Sequence, residues 1–485
     1  MSSRRLCECI LFLSVFFLSF RHFDDADGWW HLKTGQQILQ TGSIPYVDPY
    51  SETRAGQPWI PHEWLAQVLM FSLYSAGGFT LVTVVFALLS TTAFWIVYRR
   101  CPQRPFLPAI PLIMGVAAAS PMLGARPQVL SVLFASIFIW VLERYAKRRH
   151  QGYLWALVGL MLLWVNVHGA FILGPILIAL QILGLAVDRI QNKNSDPRAQ
   201  LKHLGVALLA CTAATAVNPS GLRLIGYVME TVRRTTEQVY LADWASPNFH
   251  DFRFQLFAAL ILGLFVALAL SRERISAGQI LSFSAVTWLG LQSVRHIPIF
   301  VLIAVPLIVT QIYLCIRDLT PTNASTNTSR EFPRINVAIL AVAILLMANR
   351  VVSLAASQKT AEETNFPRAA VEFIRDNRVS GPMFNLYEWG GYLIWNLYPD
   401  WKVFVDGRPE IYGDAYIQDY VDAYYGRRDW QHLLKRFEIR TVIVEPTAPL
   451  ASLLRESTEW KNAFEDKVAV VFVRSSPGSP LNGVR

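Results

Sequence analysis

The sequence predicts an α-helical polytopic membrane protein of about 11 transmembrane helices, followed by a small extracytoplasmic α/β domain at the C-terminal end. Three observations predict it. Of the 485 residues, 53% are hydrophobic and 16% charged, which is more apolar surface than a soluble domain of this size hides. Apolar runs of about 15 to 22 residues recur over most of the first 355 positions, and roughly 20 helical residues cross a hydrocarbon core of about 30 Å. Basic residues gather in short clusters on alternate connections, as the positive-inside rule requires.

Membrane helices are placed at 6–22, 79–98, 105–121, 127–144, 151–167, 169–188, 201–217, 254–271, 279–294, 297–316 and 335–355. The first run, behind Arg4 and Arg5, has the length of a signal-peptide core but no small-x-small cleavage pattern before Arg21, so it reads as a retained helix. With a cytoplasmic N-terminus, the inner connections are Arg99 to Arg104, Glu143 to Arg149, Asp188 to His203, Arg272 to Arg274 and Arg317 to Arg334, each of them basic. The outer connections carry acids, histidines, tryptophans and single arginines. They are Asp24 to Glu63, Gly124 to Pro127, Asn166 to Gly169, Asn218 to Arg253 and Ser293 to His296. Two sequons at Asn323 and Asn327 fall in an inner loop and read as a flexible linker. No repeat of 20 to 50 residues is visible.

The formal charge of +9 lies in these topological clusters and not along one soluble face, so nucleic acid is not an expected partner. The five cysteines lie in or beside apolar stretches, without His partners at ligand spacing, which predicts neither a disulfide framework nor a zinc site. The expected division is a membrane part, residues 1–356 with a first outer loop at 23–62, and an extracytoplasmic domain at 357–485. In that domain short apolar runs (Met383 to Leu386, Val403 to Asp406, Thr441 to Val444, Val468 to Val473) alternate with helical patterns at Phe366 to Asn377 and Asp414 to Tyr425. That alternation predicts strands and helices in one small layer structure. Glu388-Trp-Gly-Gly-Tyr and Val405-Asp-Gly-Arg-Pro-Glu-Ile-Tyr-Gly are its notable runs. Neither has a phosphate-binding glycine pattern, and a cap that selects the acceptor or a purely structural domain are the two readings.

After the first helix comes Phe23-Asp-Asp-Ala-Asp-Gly-Trp-Trp-His31. Helical periodicity continues to Gln40, with Trp29, Leu32 and Leu39 on a face able to meet lipid, as in a helix lying in the membrane interface. Asp27 and His31 share one side of it at i, i+4, and Asp25 lies just before it. Gly42 closes the helix. Gly56-Gln-Pro-Trp-Ile-Pro-His-Glu-Trp-Leu, an apolar stretch and Gly77-Gly78 follow.

In these segments the chain resembles the GT-C superfamily of membrane glycosyltransferases, above all its bacterial branch of aminoarabinose and protein mannosyltransferases. The resemblance covers a first helix, an acid, a juxtamembrane helix, a Pro-rich segment ending in Trp-Leu, and the order of many helices before an exported α/β domain. It departs in two places. The common Asp-Glu pair is here Asp27-Gly28, so a second acid has to come from Asp25, Asp24 or elsewhere. Where relatives often carry a Lys in the Pro-rich segment, this chain has Pro61-His62-Glu63, and His62 is the candidate for that role.

The resemblance implies transfer of a sugar from a polyprenyl-phosphate donor to a glycan, lipid or protein acceptor, by inversion, at the extracytoplasmic face of a bacterial inner membrane. Such a reaction needs a carboxylate to take the acceptor's hydroxyl proton and cations to hold the departing phosphate. Asp27 is the candidate base. Asp25 is the alternative, or a substrate or metal contact, with Mg or Mn as the divalent ion that some relatives use. The bland alternative for Asp27 is a helix N-cap, worth about 1 kcal/mol. His31, His62, Glu63, Arg126, His168, Asp243, Arg295 and His296 are the substrate-binding candidates, with Arg126, His168, Arg295 and His296 for the phosphate. Against them stand a snorkelling Arg or a His bonded to a loop carbonyl. The long loop from Asn218 to Arg253, holding Glu230, Glu237, Tyr240, Asp243, Trp244 and His250, has the length of a lid. Competing classes are a transporter or flippase of lipid-linked glycans, which would place ionisable groups near the bilayer midplane, and a non-catalytic envelope assembly protein, for which the acidic loop would be incidental.

Overall fold

The structure, a computed structural model, describes residues 1–102, 104, 106–191, 197–233, 243–319, 332–427 and 429–475. Glu237, Tyr240 and both sequons lie outside the described residues.

Helices form at all eleven predicted apolar runs. They are α1 (Ser3–Ser19), α3 (Trp64–Arg100), α4 (Ala109–Ala119), α5 (Pro127–Arg148), α6 (Gly152–Trp164), α7 (Leu173–Gln191), α8 (Arg198–Ala214), α10 (Phe252–Leu270), α11 (Ala277–Gln292), α12 (Ile297–Leu319) and α13 (Pro333–Asn365). Among the described residues, 6 helical stretches are long and apolar enough to cross a membrane, those of α3, α5, α7, α10, α12 and α13. The protein is thus a polytopic helical membrane protein. Two helices lie in connections between the apolar ones: α2 (Gly28–Thr41), as the periodicity predicts, and α9 (Arg223–Arg233), inside the long loop read as a lid.

Local chemistry sets the ends. Pro127 opens α5, where its missing N–H would be unpaired in any case. Ser276 and Gln279 form a reciprocal capping box on α11. Gly42, at φ 65°, closes α2. Helix α3 is broken at Gly77 and Gly78, the latter at φ 63° and ψ −164°, so its apolar run restarts where the sequence places a helix at 79.

The chain divides into two compact units, residues 1–22, 77–228 and 238–355, and residues 23–76, 229–237 and 356–485. In the first, helices approach through small residues: a Cβ at Gly184 on α7 would strike the backbone of Gly278 on α11, and one at Gly115 on α4 would stand 2.7 Å from Val301.

In the second unit residues 23–76 pack with the C-terminal residues. These carry α14 (Arg368–Asp376), α15 (Gly390–Leu397), α16 (Pro409–Tyr412), α17 (Asp414–Tyr424), α18 (Trp430–Arg436) and α19 (Pro449–Glu456), and strands β1 (Met383–Asn385), β2 (Thr441–Val444), β3 (Trp460–Glu465) and β4 (Val470–Arg474). Strand order is β1-β2-β4-β3, parallel only between β1 and β2. Phe384, Phe404, Tyr416, Tyr420, Val442 and Phe472 belong to its core.

Two expectations are corrected here. Val403 to Asp406 is not a strand of the sheet. Its backbone is satisfied elsewhere: Val403 N–H donates to the Tyr50 carbonyl (3.1 Å), Val403 O accepts from Glu52 N–H (2.9 Å), and Phe404 N–H donates to the Asn385 side chain (2.8 Å). The face of α2 assigned to lipid is largely covered by protein. Trp29 and Leu32 are buried, Trp29 edge-on to Phe23, Phe366 and Tyr392, and only Leu39 is exposed.

Candidate functional site

The three acids before α2 are not equivalent. Asp24 is exposed. Asp25 Oδ1 accepts from the backbone N–H of Asp27 (2.8 Å) and of Gly28 (3.3 Å), so Asp25 supplies the first-turn cap. Asp27, at the N-cap position itself, makes no side-chain cap bond. Its Oδ1 instead accepts from Trp30 Nε1 at 3.0 Å, and the residue is only partly buried. Asp25 therefore supplies the cap bonds of this turn, and the Asp27 carboxylate is held by Trp30.

Beneath this turn lies a buried ion cluster that the sequence did not identify. Arg408, fully buried, donates from Nε and Nη2 to both oxygens of Asp406 (2.8 and 2.6 Å), and Nη2 stands 2.9 Å from Asp48, in the loop after α2. Tyr412 donates its hydroxyl to Asp406 (2.8 Å). Asp48 is fixed in turn by the N–H groups of Tyr50 and Ser51 and by the Ser51 hydroxyl. The guanidinium carbon lies 4.7 Å from the Trp59 ring, 5.0 Å from Tyr50 and 5.8 Å from Trp30. Burial opposes the arginine's charge, but the Asp406 and Asp48 carboxylates overcome it and hold the group protonated. The one sequence signal was the charged Asp-Gly-Arg triplet directly after the apolar Val403-Phe-Val.

His31 is buried one turn on from Asp27. Gln67 Nε2 lies 3.3 Å from its Nδ1, Glu63 3.5 Å from its Nε2, and Glu63 also stands 3.7 Å from His62. An amide nitrogen only donates, so Nδ1 accepts and the proton sits on Nε2, toward Glu63. Burial pushes the His31 pKa well below its ordinary value, and charge on His62 and Arg408 pushes the same way, so the neighbouring Glu63 does not charge it. Lowering the pH through about 6.5 protonates the unfolded histidine while the folded one stays neutral. This contribution to stability is present above that pH and declines below it, by up to about 1.4 kcal/mol per pH unit. Melting curves between pH 7.5 and 5 should therefore shift downward in the wild type and less so in His31→Asn. Identical slopes would show that His31 carries none of this dependence.

In the membrane unit, Arg126 Nη1 bonds Asp243 Oδ2 at 2.9 Å. Asp243 O accepts from Arg295 N–H (3.1 Å) and from the Ser293 hydroxyl (2.7 Å), and Ala245 O accepts from Val294 N–H (3.1 Å). The end of the long loop is thus docked on the segment 293–295, and the Arg295 guanidinium stacks 4.1 Å from the Trp244 ring. Burial raises the Asp243 pKa, but Arg126 and Arg295 outweigh it and hold the carboxyl below its usual range.

His168 is brought to a different task. Its Nδ1 accepts from Ala170 N–H (3.1 Å) and lies 3.0 Å from the Ser131 hydroxyl, which itself accepts from Trp164 Nε1 (2.8 Å), so the ring caps a short helical turn. The His296 ring is partly buried, and its buried Nδ1 meets no hydrogen-bond partner among the described residues. The structure thus groups Asp25, Asp27, His31, His62 and Glu63 in one unit, and Arg126, Asp243 and Arg295 in the other. A divalent ion would need more ligands than Asp25 and Asp27 provide, and no group of three or more His, Cys, Asp or Glu side chains is placed to hold one among the described residues.

No protein-family model matches the sequence, and no curated protein does. Solved structures do match over nearly the whole chain. The archaeal oligosaccharyltransferase AglB from Archaeoglobus fulgidus, in complex with an inhibitory peptide and a dolichol-phosphate, is similar at a TM-score of 0.58 and 10% identity, over 99% of this chain and 75% of that one. The arabinofuranosyltransferase AftD from Mycobacteria is similar at 0.51 and 14%, over 98% of this chain and 40% of that one. ArnT from Cupriavidus metallidurans aligns at 0.48 and 13%, over 94% and 95%. The first two likenesses show the fold, one shared with AglB and AftD.

Proposed function

We propose that this chain, built on the GT-C fold, is a membrane glycosyltransferase that moves a sugar from a polyprenyl-phosphate-linked donor to an acceptor hydroxyl on the extracytoplasmic side of a bacterial inner membrane. The N-terminus is cytoplasmic and the C-terminal residues are exported. The observation that carries the reading is Asp27: a partly exposed carboxylate at the start of the juxtamembrane helix, relieved of capping by Asp25 and oriented by Trp30. The likeness in fold to AglB, over 99% of this chain and 75% of that one, supports it.

In this reading Asp27 takes the acceptor's hydroxyl proton as that oxygen attacks the anomeric carbon. The bond from that carbon to the phosphate oxygen breaks, and the lipid phosphate leaves with the bonding pair. Arg126 and Arg295 are proposed for the phosphate, as guanidinium groups of the kind that binds phosphate oxygens. His62 and Glu63 are assigned to substrate contact, and His31, buried and neutral, to holding Glu63.

The test is sugar transfer by purified protein, with a panel of polyprenyl-phosphate sugars as donors, comparing wild type with Asp27→Asn and Asp25→Asn. Turnover in wild type and Asp25→Asn, and its loss in Asp27→Asn, is the expected pattern; equal turnover in all three removes the assignment of the base. Arg126→Ala should raise the donor KM by about 10- to 100-fold, the equivalent of one charge-assisted hydrogen bond. An unchanged KM would return Arg126 to a purely structural pairing with Asp243.

A further inference from the structure

We propose that the two glycine-bearing runs of the C-terminal residues form a positioning clasp around the Asp27 carboxylate, an inference that rests on the role given to Asp27 above. A Cβ at Gly407 would collide with Asp27 Oδ1. One at Gly391 would collide with the Ala26 carbonyl oxygen and stand 3.2 Å from Trp30 Cδ1, and one at Gly390 would stand 2.5 Å from the Asp406 Cα. None of the three has a left-handed backbone. At 390 and 391 the obstacle is backbone, so glycine is required there by space and not by conformation; at 407 it is the end of the Asp27 side chain, which has to move. Glu388-Trp-Gly-Gly-Tyr thus abuts both the Ala26-Asp27 turn and the Asp406 backbone, while Val405-Asp-Gly-Arg abuts the carboxylate itself.

The clasp is rigid for a stated reason. Gly407 lies between Asp406 and Arg408, whose buried pairing is shared with Asp48. Arg408 also faces Trp30, the donor to Asp27 Oδ1. Asp27 is consequently bounded by Gly407 on one side and fixed by the Trp30 N–H on another. A methyl group at 407 would displace the carboxylate by an amount on the order of an ångström, which is enough to cost about 100-fold in rate when the displaced group takes part in the chemistry. Gly407 and Gly391 act through Asp27 and are positioning residues.

The experiment uses the full-length protein in detergent, with Gly407→Ala and Gly391→Ala, and Gly159→Ala as the control, because a Cβ at Gly159 meets nothing within 4 Å. Gly407→Ala is expected to lower kcat about 100-fold with the donor KM held, whereas Gly159→Ala leaves both unchanged. A role in folding alone would reduce the yield of folded protein but not the kcat of the folded fraction. The second arm needs no activity. Gly407→Ala should lower the melting temperature by about 3–6 °C in the wild type and by much less in an Asp27→Ala background, where the colliding carboxylate is gone. Equal shifts in both backgrounds, or undiminished kcat in Gly407→Ala, overturn the clasp. Absence of sugar transfer by the wild type overturns the functional reading instead, while the melting cycle still decides whether Gly407 and Asp27 are coupled.

Discussion

Asp27→Asn is expected to lower the turnover of sugar transfer by about 10²- to 10⁴-fold, the range for loss of a general base, with the donor KM near its wild-type value. The substitution is nearly isosteric. The amide oxygen still accepts from Trp30 Nε1, so the turn and its contacts persist while the proton acceptor is lost. Asp25 provides the counterpart. Asp25→Asn keeps an oxygen for the N–H groups of Asp27 and Gly28 and should retain turnover, whereas Asp25→Ala loses the cap and about 1 kcal/mol of stability. Initial rates at several donor concentrations separate the cases. A larger loss of kcat at position 25 than at position 27 would move the base to Asp25.

The second large effect concerns stability. Arg408→Met should destabilise the protein by about 3–5 kcal/mol, because it leaves Asp406 and Asp48 buried without their shared counter-charge. The loss should be smaller when Asp48 and Asp406 are both made Asn in the same chain, since the uncompensated charges then disappear. Arg408→Lys does not rescue it fully. An ammonium group cannot serve two carboxylates and three aromatic faces from the geometry that a planar guanidinium adopts. Thermal unfolding followed by tryptophan fluorescence measures this, Trp30 and Trp59 lying beside the cluster. A loss below about 1 kcal/mol would show that water reaches the carboxylates.

The helices could be read in the sequence because lipid imposes one simple pattern, an uninterrupted apolar run about 20 residues long. Breaks such as Gly77-Gly78 announce themselves by residue type. Helix α2 was legible for a similar reason, with an acid-rich start, a periodic body and Gly42 at the end. What partners a residue was less legible. Asp25 and Asp27 can both serve as caps, and only the backbone geometry shows that the earlier acid does so. Trp29 and Leu32 present an apolar face that suits lipid and protein equally, and it is Phe23, Phe366 and Tyr392 that cover Trp29. Val403 to Asp406 had the composition of a strand, yet its backbone bonds the Tyr50 to Glu52 segment and the Asn385 side chain, partners no local pattern reveals. Arg126, His168 and Arg295 were chosen by one criterion, a cation or imidazole at a helix end. The structure separates them, His168 as a cap and the two arginines around Asp243.

The Asp48 and Arg408 pairing also has a meaning in time. A ribosome making this chain releases Asp48 early, and the roughly 360 positions from it to its cationic partner take about 20–70 s to polymerise at ordinary elongation rates. Throughout that interval the Asp48 carboxylate lacks the cation that offsets its burial, so this part of the fold is completed only when the last quarter of the chain arrives.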